Sequence, residues 1–267
     1  MVYIDCKRYA QEILDVVKGI PNKKKLVILT VGDNPASQSY VKGKIKDCEY
    51  CGIPYEHIKL TNTESAKSEL GYHITMANLA DDVGGIIVQL PLPDGFDEAL
   101  YTSQVRFDKD VDGFSPNSPY DPCTPEGIMY LLRKEVGDLT GKNVLVIGRG
   151  KLVGEPLAKM LIDSDCTVTV AHSKTKNLNG LLTKADIVIS AVGKPNLVDL
   201  KYCMNAEVVI DVGVNKSANG KLCGDCFNFS DGIMGSMKVS PVPGGVGLMT
   251  RAMLMAHVGG LDVNTLI

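Results

Sequence analysis

A glycine-rich turn between an apolar run and a helical pattern constrains the fold of this chain more than any other feature. The apolar residues 144–147 lead into Gly148-Arg149-Gly150-Lys151-Leu152-Val153-Gly154, and a helical pattern covers 153–163. A strand, a glycine turn and a helix in this order present backbone N–H groups and a helix N-terminus to a pyrophosphate. The glycine spacing is one residue longer than the common fingerprint, so the flanking elements carry the prediction of a nucleotide-binding unit.

The end of the next predicted strand indicates which nucleotide is bound. In NAD-binding units an Asp or Glu about 20 residues beyond the turn hydrogen-bonds the ribose 2′-hydroxyl. Here residues 167–170 run into Ala171-His172-Ser173-Lys174-Thr175, a segment without an acid. Arg149 can bind a 2′-phosphate through two hydrogen bonds and Ser173 can donate another, while His172 or Lys174 can add positive charge. We therefore predict an NADP site.

Strand and helix patterns alternate along the chain. Predicted strands cover 26–31, 55–60, 85–90, 143–147, 167–170, 187–191 and 208–212, and predicted helices cover 37–51, 64–80, 153–163, 178–184 and 249–258. A further helix is predicted to begin at Thr124 as N-cap, with Pro125 at its first position. This alternation predicts an α/β fold with parallel sheets, whose ligands collect at the carboxyl ends of the strands.

Composition limits the class of protein. The 267 residues are 45% hydrophobic and 22% charged, which is typical of a globular α/β protein. A formal net charge of −3 gives no general attraction to nucleic acid or to an anionic membrane. No apolar stretch approaches the roughly 20 residues that span a bilayer, and Asp5, Lys7 and Arg8 interrupt any leader-like start. We expect a cytoplasmic protein with neither a nucleic-acid nor a membrane partner.

Two C-x2-C pairs leave a second interpretation open. Cys48 with Cys51 and Cys223 with Cys226 together offer four ligands to zinc or to redox chemistry. The pairs lie 171 residues apart in the sequence, without a further ligand beside either. Reduced thiols of a cytosolic protein are therefore the favoured interpretation, and no metal site is predicted.

One lysine differs from its basic neighbours. Tyr40 and Lys44 lie four residues apart on a predicted helix and share one face, whereas Lys42 and Lys46 point elsewhere. The pair follows the carboxyl end of a strand, and the ring can stack on a planar ligand. Gly43 costs a helix interior about 1 kcal/mol relative to Ala, which indicates that some group approaches the backbone closely there.

Two other polar residues have both a structural and a functional interpretation. Gln89 ends a buried strand, so its amide is either a ligand contact or a structural tie. Asp112 precedes Gly113 in an irregular loop and either forms an Asx turn or binds a ligand. The local sequence does not separate these alternatives.

Several blocks of residues together resemble one enzyme family. They are 31–44 with Tyr40 and Lys44, Val88-Gln89-Leu90-Pro91-Leu92-Pro93, Lys109-Asp110-Val111-Asp112-Gly113, Pro122-Cys123-Thr124-Pro125, Gly148 through Pro156, His172-Ser173-Lys174-Thr175 and Pro241 through Gly247. In this order they resemble the bifunctional methylenetetrahydrofolate dehydrogenase/methenyltetrahydrofolate cyclohydrolases of one-carbon metabolism and purine biosynthesis.

The resemblance implies two reactions at one folate site. The dehydrogenase oxidises 5,10-methylenetetrahydrofolate to the methenyl cation with NADP as hydride acceptor, and the cyclohydrolase hydrolyses that cation to 10-formyltetrahydrofolate. It implies that Lys44 is the essential cyclohydrolase residue and that Tyr40 stacks on the folate. Gln89 would hydrogen-bond the lysine, and Asp112 would anchor the pterin.

The resemblance also assigns binding residues. Substrate would contact Tyr40, Gln89, Leu90, Pro91, Asp112, Gly244 and Gly245. NADP would contact Thr124, Gly148, Arg149, Gly150, Val153, Gly154, His172, Ser173, Val192, Gly193, Val214 and Thr250. The implied domains are a catalytic domain of residues 1–121 and 248–267 and a Rossmann-type NADP domain of residues 122–247, with folate in the cleft between them and a homodimer formed through the NADP domain.

Two positions depart from the family pattern, and two alternatives remain. Leu248 replaces a usual proline after Gly247, and Gly150 replaces a hydroxyl-bearing or small residue after Arg149. Another two-domain NADP oxidoreductase, such as a shikimate-type dehydrogenase, is one alternative, and Tyr40, Lys44 and Gln89 argue against it. A cysteine-based metal or redox module is the other.

Overall fold

The computed structural model describes residues 2–217, 219–229 and 236–267. Its helices are α1 (Cys6–Gly19), α2 (Pro35–Cys51), α3 (Ala66–Leu79), α4 (Glu98–Ser103), α5 (Cys123–Glu135), α6 (Gly154–Asp163), α7 (Leu178–Leu182) and α8 (Val246–Gly259). Its strands are β1 (Val2–Tyr3), β2 (Lys25–Val31), β3 (Tyr55–Leu60), β4 (Val83–Val88), β5 (Asn143–Ile147), β6 (Thr167–Ala171), β7 (Ile187–Ser190), β8 (Val198–Asp199), β9 (Val208–Asp211), β10 (Asn215–Lys216), β11 (Leu222–Cys223), β12 (Cys226–Phe227) and β13 (Lys238–Val239).

The chain forms two compact units. One, here called the Lys44 unit, consists of Gln11–Cys123 and Arg251–Val263. The other, here called the Gly148 unit, consists of Met1–Ala10, Thr124–Thr250 and Asn264–Ile267. The domain limits expected from the sequence, 1–121 with 248–267 and 122–247, stay a prediction.

The Lys44 unit is built on a three-stranded parallel sheet of order β3-β2-β4. The central strand β2 is buried along six of its seven residues, which explains its unbroken apolar sequence. Leu70 and Ile74 of α3 pack with Val27, Leu29 and Ile86 of the sheet in one core cluster. Because the strands are parallel, β2 and β4 end at the same edge, where α2 begins and Gln89 follows.

The Gly148 unit contains a six-stranded parallel sheet of order β1-β13-β9-β7-β5-β6. Strands β7 and β9 are buried along their whole length, and β5 is buried after its first residue. The predicted two-domain α/β architecture with parallel sheets is thus confirmed. The strands β1 and β13 were not predicted, because two-residue strands carry no periodic pattern and exist only through their pairing.

The predicted helix starts at Ser37 and Thr124 are wrong by one to two residues. Helix α2 begins at Pro35 because Asn34 is the cap: its Oδ1 accepts hydrogen bonds from Ala36 N at 2.9 Å and Ser37 N at 3.3 Å. Helix α5 begins at Cys123, so Thr124 lies inside its first turn.

Among the described residues, no helix has the length and apolarity to cross a bilayer.

Candidate functional site

The first candidate site lies around Lys44 in the Lys44 unit. Helix α2 places Tyr40 and Lys44 one turn apart, and Lys44 Nζ lies 5.2 Å from the centre of the Tyr40 ring. The lysine is only 3% exposed, whereas Lys42 and Lys46 are exposed to solvent. Burial of an ammonium group is costly unless charged or polar partners compensate it, so this lysine needs a specific reason to be buried.

Asp112 supplies the opposite charge. Its Oδ1 lies 4.0 Å from Lys44 Nζ, at the outer limit of an ion pair. Two residues 68 positions apart in the sequence therefore meet across the unit. The aromatic ring, the buried amine and the carboxylate form a cluster of the kind that fixes the orientation of a small molecule.

The neighbours of Asp112 take the structural roles in its loop. Lys109 Nζ donates to the carbonyl oxygens of Ala77, Asn78 and Ala80 at the end of α3, at 3.0, 2.9 and 2.6 Å. The Asp110 Oδ2 accepts a hydrogen bond from Ser115 N at 2.6 Å, and burial raises the pKa of this carboxyl. The turn is thus maintained by Lys109 and Asp110, and the Asp112 carboxylate is directed to Lys44.

Gln89 follows β4 and is 9% exposed. Its backbone N–H extends the sheet by donating to Leu29 O at 2.9 Å, and its Nε2 donates to Leu90 O at 2.7 Å. Its buried Oε1 has no hydrogen-bond partner among the described residues. The amide nitrogen is thus a structural tie, and a ligand contact of the amide oxygen stays a prediction.

A small cavity of about 20 Å³ adjoins Gln89 and Pro91. Ser37 of α2 and the paired Thr30 and His57 also line it, with Thr30 Oγ1 3.0 Å from His57 Nε2. This volume is close to that of a single water molecule. The cavity is therefore too small for a folate and is a recess beside Gln89. Leu90 is half-buried and Pro91 is exposed.

Arg251 is a residue of this region that sequence reasoning missed. A Cβ atom at Gly43 would lie 1.7 Å from Arg251 Nη1, so the guanidinium occupies the space of a side chain at position 43. Arg251 Nε lies 3.0 Å from Asp47 Oδ2, an ion pair whose angle is not that of a hydrogen bond. The glycine was the signal for a close approach, but it did not identify the partner.

The second candidate site is the glycine turn of the Gly148 unit. Gly148 has φ +112°, and a Cβ atom there would lie 2.4 Å from Ala191 O, so only glycine fits. Helix α6 starts at Gly154, and Glu155 N donates to Gly150 O at 3.1 Å. The predicted order of strand, glycine turn and helix is confirmed. Arg149 and Gly150 are exposed, and Val153 immediately precedes the helix.

The end of β6 shapes the neighbouring part of this site. His172 N donates to Thr175 Oγ1 at 2.8 Å, and Lys174 N donates to His172 Nδ1 at 3.2 Å. This tight turn leaves Ser173 and Lys174 exposed beside a strand end that carries no acid. An exposed hydroxyl and exposed cations fit a 2′-phosphate, and the turn at Gly148 fits a pyrophosphate. The residues present therefore fit NADP.

The remaining predicted cofactor contacts lie in the same unit. Val192 and Gly193 follow β7, and Val214 follows β9; the two valines are 37% and 67% exposed. Thr124 Oγ1 and Thr250 Oγ1 lie 2.9 Å apart. The predicted substrate contacts Gly244, with φ +92°, and Gly245, which is buried, precede α8 in this unit.

Both departures from the family pattern are accommodated locally. Leu248 N donates to Gly245 O at 3.0 Å, a bond that a proline at this position cannot make. The start of α8 is therefore hydrogen-bonded to the preceding loop. At Gly150 an added Cβ atom would meet no atom within 4 Å, so this glycine is not required by packing.

The cysteine pairs have no ligand-like arrangement among the described residues. Burial raises the pKa of the Cys48 thiol to about 12 and that of Cys51 to about 11. All eight cysteines are free thiols. No group of three or more His, Cys, Asp or Glu side chains in the described part of the chain is arranged to hold a metal ion.

Family models match both halves of the chain. Residues 4–112 match the catalytic domain of tetrahydrofolate dehydrogenase/cyclohydrolase, and residues 122–262 match its NAD(P)-binding domain. The bifunctional protein FolD of Lachnoclostridium phytofermentans is 42% identical over 94% of both chains. The bifunctional protein FolD of Lysinibacillus sphaericus is 44% identical over 86% of this chain and 84% of that protein.

Solved structures show the same relationship. The bifunctional FolD enzyme of Campylobacter jejuni superposes with a TM-score of 0.89 at 40% identity, covering 96% of each chain. The Trypanosoma brucei enzyme, solved with NADP and an inhibitor, has a TM-score of 0.87 at 31% identity over 96% of this chain and 95% of that one. A shikimate dehydrogenase solved with NADP+ shares only the fold, with a TM-score of 0.52 at 18% identity over 91% of this chain and 92% of that one. The chain therefore belongs to the tetrahydrofolate dehydrogenase/cyclohydrolase family.

Proposed function

We propose that this protein is a bifunctional folate enzyme. It oxidises 5,10-methylenetetrahydrofolate to 5,10-methenyltetrahydrofolate with NADP+ as hydride acceptor, and it hydrolyses the methenyl cation to 10-formyltetrahydrofolate. The observation that carries this proposal is the buried Lys44 beside Tyr40 and Asp112. Membership of the family and the NADP-compatible turn support the same conclusion.

The oxidation transfers a hydride from the one-carbon bridge, and the folate nitrogen lone pair stabilises the resulting cation. NADP supplies the hydride acceptor when it is bound. The protein's task is then to orient the substrate, since no proton needs to be abstracted from the carbon. We propose that the Tyr40 ring stacks on the folate and that Asp112 hydrogen-bonds the pterin.

The hydrolysis adds water to the methenyl carbon and opens the ring, with release of one proton. We propose that Lys44, as a neutral amine, accepts this proton from the attacking water. General-base catalysis requires that the lysine be unprotonated when the water attacks. The buried Gln89 Oε1 is available to orient the lysine or the water, and its neighbours Leu90 and Pro91, with Gly244 and Gly245, are proposed substrate contacts.

We propose that NADP binds the turn from Gly148 to Gly154, with Arg149 and Ser173 at the 2′-phosphate and His172 beside them. Val192, Gly193, Val214, Thr124 and Thr250 are proposed contacts with the rest of the cofactor. Exposure of Arg149 and Ser173 at neighbouring strand ends supports this assignment.

A two-wavelength assay tests the function. Methylenetetrahydrofolate is supplied with NADP+ or NAD+, and NADPH formation and methenyl absorbance are recorded separately. The proposal predicts NADPH formation without lasting methenyl accumulation. Methenyl accumulation would show that the second activity is weak, and no reduction of either nucleotide would refute the first.

We also propose a homodimer formed through the Gly148 unit. Strand β6 is the edge of its sheet, and its Val170 is 38% exposed. Helix α6 packs against β6 and has a 58% exposed Ile162. An exposed apolar edge of this kind is a place where a second copy can pair.

Light scattering of single variants tests the dimer. Ile162→Glu is expected to give a monomer, because a charge would be buried at the interface. Leu79→Glu, at a 71% exposed leucine of the Lys44 unit, is the matched control and should remain dimeric. A monomeric unmodified protein would contradict the proposal.

We propose a cytoplasmic location on the basis of the eight free thiols.

A further inference from the structure

A fully buried carboxylate in the Gly148 unit connects two loops of the candidate NADP site. Asp225 lies between β11 and β12 and is 0% exposed. Its Oδ2 accepts hydrogen bonds from Ser190 Oγ at 2.9 Å and Val192 N at 3.1 Å. Its Oδ1 accepts hydrogen bonds from Lys194 N at 2.7 Å and Asn215 Nδ2 at 3.0 Å.

These four donors come from two separate strand ends. Ser190 ends β7, residues 192–194 form the loop after it, and Asn215 begins β10 directly after the loop that follows β9. One side chain thus determines the relative position of both loops. Backbone N–H groups bound to a buried carboxylate are held more firmly than those bound to water, because the bonds are charge-assisted and shielded.

Asp225 is itself fixed by a second buried acid. Asp211, at the end of β9, accepts hydrogen bonds from Asp225 N at 3.0 Å and Cys226 N at 2.8 Å. In addition, the Asp225 carbonyl accepts hydrogen bonds from Leu197 N and Val198 N at 2.9 and 3.1 Å. The carboxylate therefore has little freedom to follow the loops, and the loops must conform to it.

The position of these two loops on the sheet indicates which part of a bound dinucleotide they would contact. The sheet order is β9-β7-β5-β6, with the pyrophosphate-binding turn after β5 and the 2′-phosphate residues after β6. A dinucleotide bound across the carboxyl ends of the strands would therefore have its nicotinamide half near the loops after β7 and β9. The exposed Val192 and Val214 lie on these two loops and offer apolar surface to a flat ring.

We infer that Asp225 is a positioning residue for the nicotinamide half of the cofactor site. It does not touch the cofactor; it sets the spacing of the loops that carry Val192 and Val214. The inference rests on the proposed use of NADP. If Asp225 served only the stability of the fold, its substitution would lower both activities alike. Substitution of a positioning residue weakens NADP binding selectively.

Calorimetric NADP+ titration of Asp225→Asn tests the inference. The substitution preserves shape but replaces one acceptor oxygen by an NH2 group, which then faces two of the four donors. We expect the Kd for NADP+ to rise about tenfold or more, because a buried donor loses its acceptor. Hydrolysis of supplied methenyltetrahydrofolate, which needs no NADP, should stay within about twofold of the unmodified rate.

Asp199→Asn is the matched control. Asp199 is another buried acid of the same unit, 8% exposed. It accepts hydrogen bonds from Lys201 N and Asn228 Nδ2 and pairs with Lys201 Nζ at 2.8 Å, so it does not hold the two loops. The control should leave the Kd for NADP+ unchanged. Equal weakening by Asp199→Asn and Asp225→Asn would overturn the inference, as would an unchanged Kd in folded Asp225→Asn.

Two milder variants keep the test decisive if Asp225→Asn does not fold. Ser190→Ala and Asn215→Ala each remove one donor to the carboxylate. Each should raise the Kd for NADP+ several-fold without altering methenyl hydrolysis, and an unchanged Kd in both would overturn the inference. An unmodified protein that fails to bind NADP+ would instead refute the proposed function.

Discussion

At the scale of single residues, the surroundings of Lys44 differ from those of an ordinary lysine on a helix surface. It is buried beside an aromatic ring and a carboxylate, while Lys42, on the same helix, is exposed. A flexible surface lysine keeps its charge in water and needs no such partners. The contrast between Lys44 and Lys42 makes the role of Lys44 directly testable.

Substitution of Lys44 should separate the two activities. We expect Lys44→Met to lower the cyclohydrolase rate by about 100-fold or more, because a general base is lost. Some hydride transfer should remain, since it needs orientation but no base. Methenyl accumulation measures the effect, and Lys42→Met is the control that should retain both rates. Equal loss of both activities with intact folate binding would contradict this division of roles.

Gly43 and Arg251 form a second residue-scale pair, with a prediction for stability. Gly43→Ala in the Arg251→Ala background should raise the free energy of unfolding by about 1 kcal/mol, through helix propensity. In the presence of Arg251 the same change should be less favourable by about 1 kcal/mol, because the guanidinium must leave Asp47.

Denaturant unfolding of the four proteins of this double-mutant cycle measures the coupling. Gly71→Ala in α3 is the control, because an added Cβ atom there meets only Gln104 Oε1 at 3.5 Å, an ordinary contact. This control should gain stability with or without Arg251. Additive effects of Gly43→Ala and Arg251→Ala would show that the close approach has no energetic consequence.

At the scale of secondary-structure elements, we propose that the segments after β5 and β6 determine the preference for NADP over NAD. Arg149 and Ser173 lie two residues beyond these strands, and both are exposed and not required by the core. A side chain at a strand end is positioned by the sheet but contributes little to its stability. Nucleotide preference is therefore expected to change without loss of the fold.

The double variant Arg149→Ala/Ser173→Ala should weaken NADP far more than NAD. Loss of charge-assisted hydrogen bonds to a phosphate is expected to raise the KM for NADP+ about tenfold or more, and to leave that for NAD+ nearly unchanged. Steady-state kinetics with both nucleotides measures this. Lys159→Ala, on α6 and paired with Asp163, is the control. A parallel rise for both nucleotides would contradict the assignment of the 2′-phosphate site.

At the scale of the whole molecule, the thiols report on global unfolding. Burial raises the pKa values of Cys6, Cys48 and Cys203 to about 12, so few thiolates exist in the folded state. In pulse labelling with mass spectrometry, only the half-buried Cys166 and Cys223 should react before unfolding. Rapid native labelling of Cys48 or Cys51, or stoichiometric zinc, would revive the alternative of a redox or metal module.

At the same scale, His57 contributes to the loss of fold stability in acid. Burial, with the nearby Lys59, lowers the pKa of this imidazole below 6.5 in the folded protein. The unfolded chain then binds more protons, so stability falls as the pH drops through 6.5 toward the folded value. We expect His57→Gln to flatten this part of the stability curve, as measured by denaturant unfolding from pH 7 to pH 5. An unchanged slope would contradict the assignment.

The sequence by itself determined the elements and the class of cofactor. The unbroken apolar run of β2, the glycines of the turn and the missing acid after β6 are local features, and their consequences are local too. A strand buried on both faces must be apolar, and a turn with positive φ against a carbonyl must be glycine. The resemblance to a family added the expected roles of Lys44 and Asp112.

Only the tertiary structure decided which distant residues meet. It brought Asp112 to Lys44, filled the space above Gly43 with Arg251 and joined two loops through Asp225. It also paired β1 with β13 across more than 230 residues. Such contacts leave no periodic pattern in the sequence, because they form when elements far apart in the chain pack together and close long loops. No local segment of the sequence specifies the geometry of that packing.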